Sequence, residues 1–251
     1  MAMHFPATLV KFPVGYTERR ATFYLATEEY LAGRVGHGDY KTADGQAALL
    51  FTWLLSPTVV IGRNQVAENE LDLKFCHEKG IDVVRRKSGG GAIYADRNNI
   101  MTSLVTEGGA VEPLFKEYSV TMADALKSMG APAVVSGRND VIVDPPPFTQ
   151  GLARGKVCGN AFYHLASSNV IHGTVLYDTD FDMMMGALRP PVEKLERHGV
   201  ESVRQRVALL KDYLAFGVNE LKERIEETLT HNSFTLSTDD INEIEKIEKQ
   251  Y

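Results

Sequence analysis

Apolar residues recur at helical spacing in several parts of the chain. Every third or fourth residue of a helix lies on one face, so this spacing predicts amphipathic helices with one buried side. Ser237 and Asp240 have the spacing of a capping box, which would begin the last of them. The predicted helices cover residues 21–32, 69–79, 114–129 and 181–188, and two more are marked by Val218, Leu221, Ile225 and Leu229 and by Ile241, Ile244 and Ile247.

Shorter apolar and β-branched runs, bounded by glycine or polar residues, predict strands. They alternate with the helices and include hairpin-like pairs. We therefore predict an α+β fold with mixed, largely antiparallel sheets flanked by helices. We assign residues 1–215 to one domain and residues 216–251 to a short, mostly helical C-terminal extension. The predicted strands cover residues 47–54, 58–61, 81–85, 92–94, 101–105, 133–135, 141–143, 156–162 and 169–175.

Composition adds few constraints to this picture. The chain has 251 residues, of which 44% are hydrophobic and 24% charged, as expected for a globular protein with a sizeable core. A net charge of −6 argues against a nucleic-acid partner, which usually meets a basic face. No signal peptide and no bilayer-spanning run is recognisable, so we expect a cytoplasmic protein without a membrane partner. The two cysteines, Cys76 and Cys158, are expected to be reduced and buried.

The most informative chemical motif is residues 85–91, Arg-Arg-Lys-Ser-Gly-Gly-Gly. Three adjacent glycines allow a ligand to approach the backbone, while Ser88 offers a hydroxyl. Arg85 and Arg86 offer forked cations that match phosphate or carboxylate groups. The motif therefore predicts a pocket for an anionic ligand. The alternative is a flexible hairpin turn with solvated arginines.

Three further motifs each allow a structural and a functional interpretation. Asn139 and Asp140 could form an ordinary turn, or could bind a ribose, a purine edge or magnesium. Lys156 could be a solvated surface charge, or could stabilise the phosphate and carbonyl of a mixed anhydride during acyl transfer. His172 could be a structural hydrogen-bonding group or part of a site.

Taken in order, these motifs resemble the lipoate–protein ligase A family. The resemblance extends over roughly residues 20 to 210, and its strength lies in the order of the motifs. The matching segments are residues 58–65, 85–92, 137–140, 156–161, 172–174 and 202–207.

The resemblance implies the catalytic-domain fold shared by biotin and lipoate ligases and a two-step reaction. Lipoate and ATP would form lipoyl-AMP with Mg²⁺, and a lysine of a lipoyl domain would then take the lipoyl group. Lys156 would be catalytic, Asp140 would serve the nucleotide or the metal ion, and His172 would lie near the acyl pocket. The residues implied to bind substrate or adenylate are Arg85, Arg86, Ser88, Gly89, Gly90, Gly91, Ala92, Asn139, Asp140, Gly159, Asn160, Ala161, His172, Gly173 and Thr174.

The implied acceptors are lipoyl domains of 2-oxoacid dehydrogenase complexes or the glycine cleavage H protein. The sequence departs from the family pattern after the glycine loop, where residues 95–99 lack the usual histidine and glycine. Only about 40 residues follow the last matching segment, and we expect them to form a few helices and a short strand. That is too little for the family's C-terminal domain. The short form could suffice, a separate accessory protein could complete it, or the protein could perform transfer alone.

Two other functions remain open at this point. A lipoyl or octanoyl transferase of the same fold would use a thioester, and Cys158 is the cysteine nearest the predicted site. A cysteine beside a lysine, as Cys158 is beside Lys156, could have a lowered pKa. A non-catalytic module would bind lipoyl-adenylate without turnover. The sequence leaves open whether lipoate or octanoate is the acyl substrate.

Overall fold

The computed structural model describes residues 7–40, 47–137, 140–145, 152, 154–165, 167–189 and 207–251. An eight-stranded sheet dominates it, with strand order β11-β1-β2-β6-β10-β9-β8-β7. β1 pairs in parallel with β2 and β11, and every other pair in this sheet is antiparallel. The strands are β1 (Ala7–Lys11), β2 (Ala48–Trp53), β6 (Asn99–Glu107), β7 (Ala133–Ser136), β8 (Asp140–Val143), β9 (Gly155–Leu165), β10 (Ser168–Leu176) and β11 (Thr230–Thr235).

A second sheet of three strands has the order β4-β3-β5. Its strands are β3 (Thr58–Ile61), β4 (Asp82–Arg85) and β5 (Ile93–Ala95). The helices are α1 (Ala21–Gly36), α2 (Ala67–Glu70), α3 (Leu73–Glu78), α4 (Val111–Ser128), α5 (Phe181–Ala187), α6 (Val218–Leu229) and α7 (Thr238–Glu248), with a 3₁₀ turn at Leu210–Asp212. The predicted α+β fold with largely antiparallel sheets is confirmed.

Each face of the large sheet supports its own hydrophobic core, because successive side chains of a strand point to opposite faces. One core joins Leu50, Leu104 and Ile171 of the central strands to α4 and α6. The other joins Phe51 and Val105 to α1, to α7 and to the small sheet. This division decides which predicted site residues can act together.

The predicted helix over residues 69–79 is wrong, because two short helices, α2 and α3, occupy this region. Leu71 and Asp72 interrupt it, and the Asp72 carboxylate accepts a hydrogen bond from the Phe75 amide to begin α3. The capping box at Ser237 and Asp240 is confirmed.

The C-terminal residues form α6, β11 and α7, and β11 extends the large sheet beside β1. The short strand expected among the last residues is therefore present as β11, whereas β1 was not predicted. The domain boundary at residue 215 stays a prediction. No helix among the described residues combines the length and apolar character needed to cross a bilayer.

Candidate functional site

One face of β8, β9 and β10 brings several predicted site residues together. His172 pairs with Ala161, Thr174 pairs with Gly159, and Gly159 also pairs with Asp140. Directly paired residues of antiparallel strands point to the same face. The His172 end of this face is buried, while Asp140, Gly159, Ala161 and Thr174 are half-buried. The face is therefore partly open where the predicted anhydride-binding groups lie.

A β-bulge gives Lys156 its orientation. In a regular strand Lys156 would share a face with Cys158, two residues later. The pairing with β8 shifts between Val141 and Ile142, so that Val141 opposes Cys158 whereas Ile142 opposes Lys156. Val157 and Cys158 both enter the core beneath α4. The extra residue turns Lys156 to the opposite face, beside Gly159 and Asp140.

Lys156 and Asp140 form an ion pair at the open end of this face. The Lys156 Nζ lies 2.7 Å from Asp140 Oδ1, and their side chains are 40% and 36% exposed. A Cβ atom on Gly159 would lie 2.5 Å from both Cε and Nζ of Lys156. Glycine at 159 therefore leaves the space through which the lysine reaches Asp140, and it makes the cation available to a ligand above the sheet.

Arg86 holds the glycine loop from the inside. Its side chain is buried, and its guanidinium donates to the carbonyls of Val60, Gly89 and Gly91 and to the Ser88 hydroxyl. Burial lowers the pKa of this guanidinium from its ordinary value, and the negative charge of Glu28 opposes the shift. Most of its N–H groups are used by the protein, so Arg86 shapes the loop for a ligand more than it contacts one.

Arg85 is the last residue of β4 and points away from the loop, because successive residues of an extended chain, here Arg85 and Arg86, face opposite sides. Its Nη1 donates to the carbonyls of Gly62, Arg63 and Gln65 at 3.0, 3.3 and 2.6 Å. It borders a cleft formed with α1 and α7, away from Lys156 and His172. The structure therefore does not bring Arg85 together with the other predicted anion-binding residues.

The three glycines of the loop have different surroundings. Gly90 has φ +94°, and a Cβ there would approach Arg86 Nη2 to 2.9 Å. At Gly89 and Gly91, no atom of the described residues other than those of the chain neighbours lies within 4 Å of the Cβ position. Ala92 is half-buried and packs against the core of the small sheet. The loop thus has one glycine required by its own backbone and two that leave room for another molecule.

A buried chain of polar side chains links the loop to α1. Ser88 Oγ lies 2.7 Å from His172 Nε2, and His172 Nδ1 lies 3.1 Å from both carboxylate oxygens of Glu28. Glu28 is fully buried, yet we did not predict it as a site residue. The sequence predicts an amphipathic helix with Glu28 off its apolar face, and this is wrong for Glu28, because α1 is buried on nearly all sides.

Asn160, Gly173 and Cys158 lie on the other face of the sheet, beneath α4. A Cβ on Gly173 would lie 2.1 Å from Asn160 Oδ1, and Cys158 Sγ is 3.5 Å from the same oxygen. Asn160 and Gly173 therefore pack with each other, away from the Lys156 face. Both residues were predicted to bind ligand, and the contacts that the structure gives them support a packing role.

The expected burial of both cysteines is confirmed, and both are free. Burial raises the pKa of the Cys158 thiol to about 12, a shift that nearby Lys156 only partly opposes. The expectation of a lowered Cys158 pKa is therefore wrong, because desolvation of the thiolate outweighs the favourable effect of the Lys156 charge.

We expect native Cys158 to resist iodoacetamide at pH 8. A thiol with a pKa near 12 presents roughly 1000-fold less thiolate than an ordinary cysteine, and burial also excludes the reagent. Mass spectrometry of the digested protein measures the labelling. The urea-unfolded chain, in which both cysteines should react, is the control; rapid labelling of Cys158 in the native protein would contradict the prediction.

The turn that departs from the family pattern is held by Asp96. This buried carboxylate accepts a hydrogen bond from the backbone N–H of Asn98 at 2.8 Å and another from the side-chain Nδ2 of Asn99 at 3.2 Å. It also accepts from the Asp180 amide at 3.3 Å, and burial raises its pKa. The turn therefore forms without the histidine and glycine of the family pattern.

Two sets of predicted residues lie outside the described residues. They are Asn139 and residues 202–206. Within the described part of the chain, no three His, Cys, Asp or Glu side chains converge as a metal site. Asp140 Oδ1 is buried, and among the described residues its polar partner is the Lys156 ammonium of the ion pair. A single carboxylate of this kind suits a metal ion that takes its remaining ligands from phosphate and water.

A family model described as the lipoyl protein ligase A/B catalytic domain matches residues 20–230. The lipoate-protein ligase LplJ of Bacillus subtilis is 35% identical over 191 residues, which are 76% of this chain and 53% of that relative. The chain thus spans about half the length of that relative.

Solved structures show the same fold. A bipartite lipoate protein ligase from Thermoplasma acidophilum, described with its E2 lipoyl domain, matches with a TM-score of 0.79 and 24% identity, covering 98% of this chain and 93% of that one. A lipoate-protein ligase A bound with ATP matches with a TM-score of 0.75 and 21% identity, covering 97% and 95%. The fold implied by the sequence resemblance is confirmed.

Proposed function

The chain belongs to the lipoyl protein ligase A/B catalytic-domain family, and from this premise we propose that it activates lipoate with ATP and transfers the lipoyl group to a lysine of a lipoyl domain. The observation that supports this most is the position of Lys156 on the same sheet face as His172. The Thr174–Gly159 pair, over which Lys156 lies, is two residues from the His172–Ala161 pair. That offset is roughly 7 Å, short enough for one acyl-adenylate to meet both ends.

In the first step, the lipoate carboxylate attacks the α-phosphorus of ATP and pyrophosphate leaves. Both reactants are anions, so the step needs local positive charge. Lys156 supplies it at the open end of the face, and the N–H groups of the glycine loop would border the adenylate. Asp140 and the ATP phosphates would hold Mg²⁺, which would neutralise phosphate charge when bound.

In the second step, the acceptor lysine amine attacks the acyl carbon and AMP departs with the anhydride oxygen. Negative charge develops on the carbonyl oxygen, and the Lys156 ammonium would stabilise it. The acceptors we propose are lipoyl domains of 2-oxoacid dehydrogenase complexes or the glycine cleavage H protein. An E2 lipoyl domain accompanies the T. acidophilum relative. The cytoplasmic location stays a prediction.

The cysteine transferase is the weaker alternative. The chain has two cysteines, and both are buried at 1% exposure. Cys158 faces the core beneath α4, on the side of the sheet opposite Lys156. A thioester on either sulfur would require the core to open, which favours the adenylate route.

The decisive test supplies the two half-reactions separately. The protein is incubated with an apo lipoyl domain and synthetic lipoyl-AMP, or with lipoate and Mg-ATP, and the lipoyl domain is weighed by mass spectrometry. We expect a lipoyl adduct from lipoyl-AMP that is absent when the acceptor lysine is changed to arginine. A third incubation supplies octanoyl-acyl carrier protein without ATP. The proposal would be overturned if neither lipoyl-AMP nor lipoate with Mg-ATP gave an adduct, or if the octanoyl-acyl carrier protein gave one.

A separate accessory protein stays part of the proposal, since the T. acidophilum relative is described as bipartite. If such a protein is needed for activation, the chain alone should transfer from lipoyl-AMP but show no lipoate-dependent ATP–pyrophosphate exchange. Exchange by the chain alone would contradict this requirement. The same assay with octanoate in place of lipoate ranks the two acyl substrates.

We predict that Gly91→Ala weakens binding of a non-hydrolysable lipoyl-AMP analogue by about 10-fold without lowering the melting temperature. Apart from its chain neighbours, no atom of the described residues lies within 4 Å of the added methyl, so we expect it to obstruct a ligand that approaches the backbone. Calorimetric titration measures the affinity. Unchanged affinity would mean that no ligand approaches Gly91.

Gly90→Ala is the matched comparison. Its positive φ and the proximity of Arg86 should destabilise the folded protein by about 1–2 kcal/mol even without ligand. Urea unfolding separates this effect from the loss of affinity expected at Gly91.

A further inference from the structure

Glu28 is the most deeply buried charged group near the glycine loop, and the proposed chemistry assigns it no role. It lies on α1 with no exposed surface and meets three side chains. Ser103 Oγ donates to it at 2.6 Å, Tyr163 OH at 3.4 Å, and both its oxygens lie 3.1 Å from His172 Nδ1. A carboxylate that is buried away from water is stable only where several hydrogen-bond donors compensate the free-energy cost of its desolvation.

The hydrogen-bond directions in this cluster follow from the groups themselves. Trp53 Nε1 can only donate, and it donates to Ser103 Oγ at 3.1 Å, so the Ser103 proton is free for Glu28. An ionised carboxylate can only accept. Glu28 therefore favours a proton on His172 Nδ1, the nitrogen that faces it.

The same reasoning applies at the other end of the imidazole. Arg86 Nε donates to Ser88 Oγ at 3.0 Å, and a guanidinium cannot accept. With its proton on Nδ1, neutral His172 presents a bare Nε2 to Ser88, 2.7 Å away. Ser88 can then donate its proton to Nε2 while accepting from Arg86. Each donor thus has an acceptor along the chain from Arg86 to Glu28.

We propose that Glu28 is a positioning residue, which fixes the Nδ1–H tautomer of His172 and thereby anchors Ser88 and the glycine loop for the acyl-adenylate. The identity of the ligand, an acyl-adenylate, rests on the proposed function. The tautomer of His172 rests on the hydrogen-bond geometry alone. Ser88 directly precedes Gly89, so the anchor joins α1, β10 and the ligand-facing backbone. Glu28 acts through His172 and does not touch the reacting atoms.

The test variant is Glu28→Gln, which keeps the shape of the side chain and replaces one acceptor oxygen with an NH₂ donor. We expect its amide to donate to His172 Nδ1, so that the ring proton moves to Nε2 and the Ser88 hydroxyl loses its acceptor. Affinity for the lipoyl-AMP analogue should fall about 10-fold, appearing in transfer assays as a higher KM more than as a lower kcat.

The readout specific to positioning is the His172 tautomer, measured from ¹⁵N chemical shifts of the imidazole and assigned with His172→Gln. Tyr118→Phe is the matched control, because it removes a buried hydrogen bond to Thr102 on the opposite face. This control should lose stability but keep both the tautomer and the affinity.

The ¹⁵N spectrum of the wild-type protein can overturn the inference by itself, so the test does not require that the Glu28→Gln variant fold. Neutral His172 with its proton on Nε2 in the wild-type protein would refute it. Unchanged affinity in a folded Glu28→Gln variant would also refute it. If the wild-type protein does not bind the analogue at all, the proposed function fails, whereas the tautomer measurement remains a valid test of the network.

Discussion

Replacing Lys156 with alanine is expected to reduce the rate of lipoyl transfer from lipoyl-AMP by about 10²–10³-fold, because the developing oxyanion loses its nearest cation. The β-bulge at Val157 and the missing side chain at Gly159 together place this cation on the open face. Both reaction steps build negative charge there, so ATP-dependent lipoylation should fall at least as much.

This loss should not come from unfolding. The Lys156–Asp140 pair is more than one-third exposed on both sides, and pairs of that kind contribute at most about 1 kcal/mol to stability. Single-turnover transfer, followed by mass spectrometry of the lipoyl domain, measures the chemical step, and thermal unfolding measures the fold.

Lys211→Ala is the matched control, since Lys211 pairs with Asp178 at 2.8 Å and is 42% exposed, almost as Lys156 is. This variant should transfer at the wild-type rate. Equal losses at the two positions, or a Lys156→Ala variant within about threefold of wild type, would exclude a catalytic role for Lys156.

The order of the motifs was enough to predict the family and fold, and most helices and strands follow from apolar spacing. β1 was missed and β11 was expected only as a short strand without bounds, because each is short and becomes a strand by pairing with the other across more than 200 residues. Local patterns contain no information about such a pairing.

The site was predictable in its residue types but less so in its geometry. A regular strand would have placed Lys156 beside Cys158, and only the bulge separates them. Arg85 and Arg86 look equivalent in the sequence, yet strand alternation sends one outward and buries the other. Glu28 belongs to the site through a contact 144 positions away from it in sequence, which its own helix does not indicate.

Arg86→Lys is expected to destabilise the protein by about 2–4 kcal/mol and to weaken binding of the lipoyl-AMP analogue by at least about 100-fold. The guanidinium satisfies the carbonyls of Val60, Gly89 and Gly91 at the same time. Lysine keeps the positive charge, but its single ammonium cannot reach three diverging acceptors. At least two of these carbonyls, of which that of Val60 is buried, would lose their donor, and the loop would have to rearrange.

The neighbouring variant Arg85→Lys separates loop architecture from positive charge. Arg85 also donates to carbonyls, but from an exposed position where water can replace it. We expect its unfolding free energy and its affinity to change by less than about 1 kcal/mol. Urea unfolding and calorimetric titration of both variants decide the matter. If Arg86→Lys is as stable as wild type but loses affinity, Arg86 contacts the adenylate directly and does not act mainly through the shape of the loop.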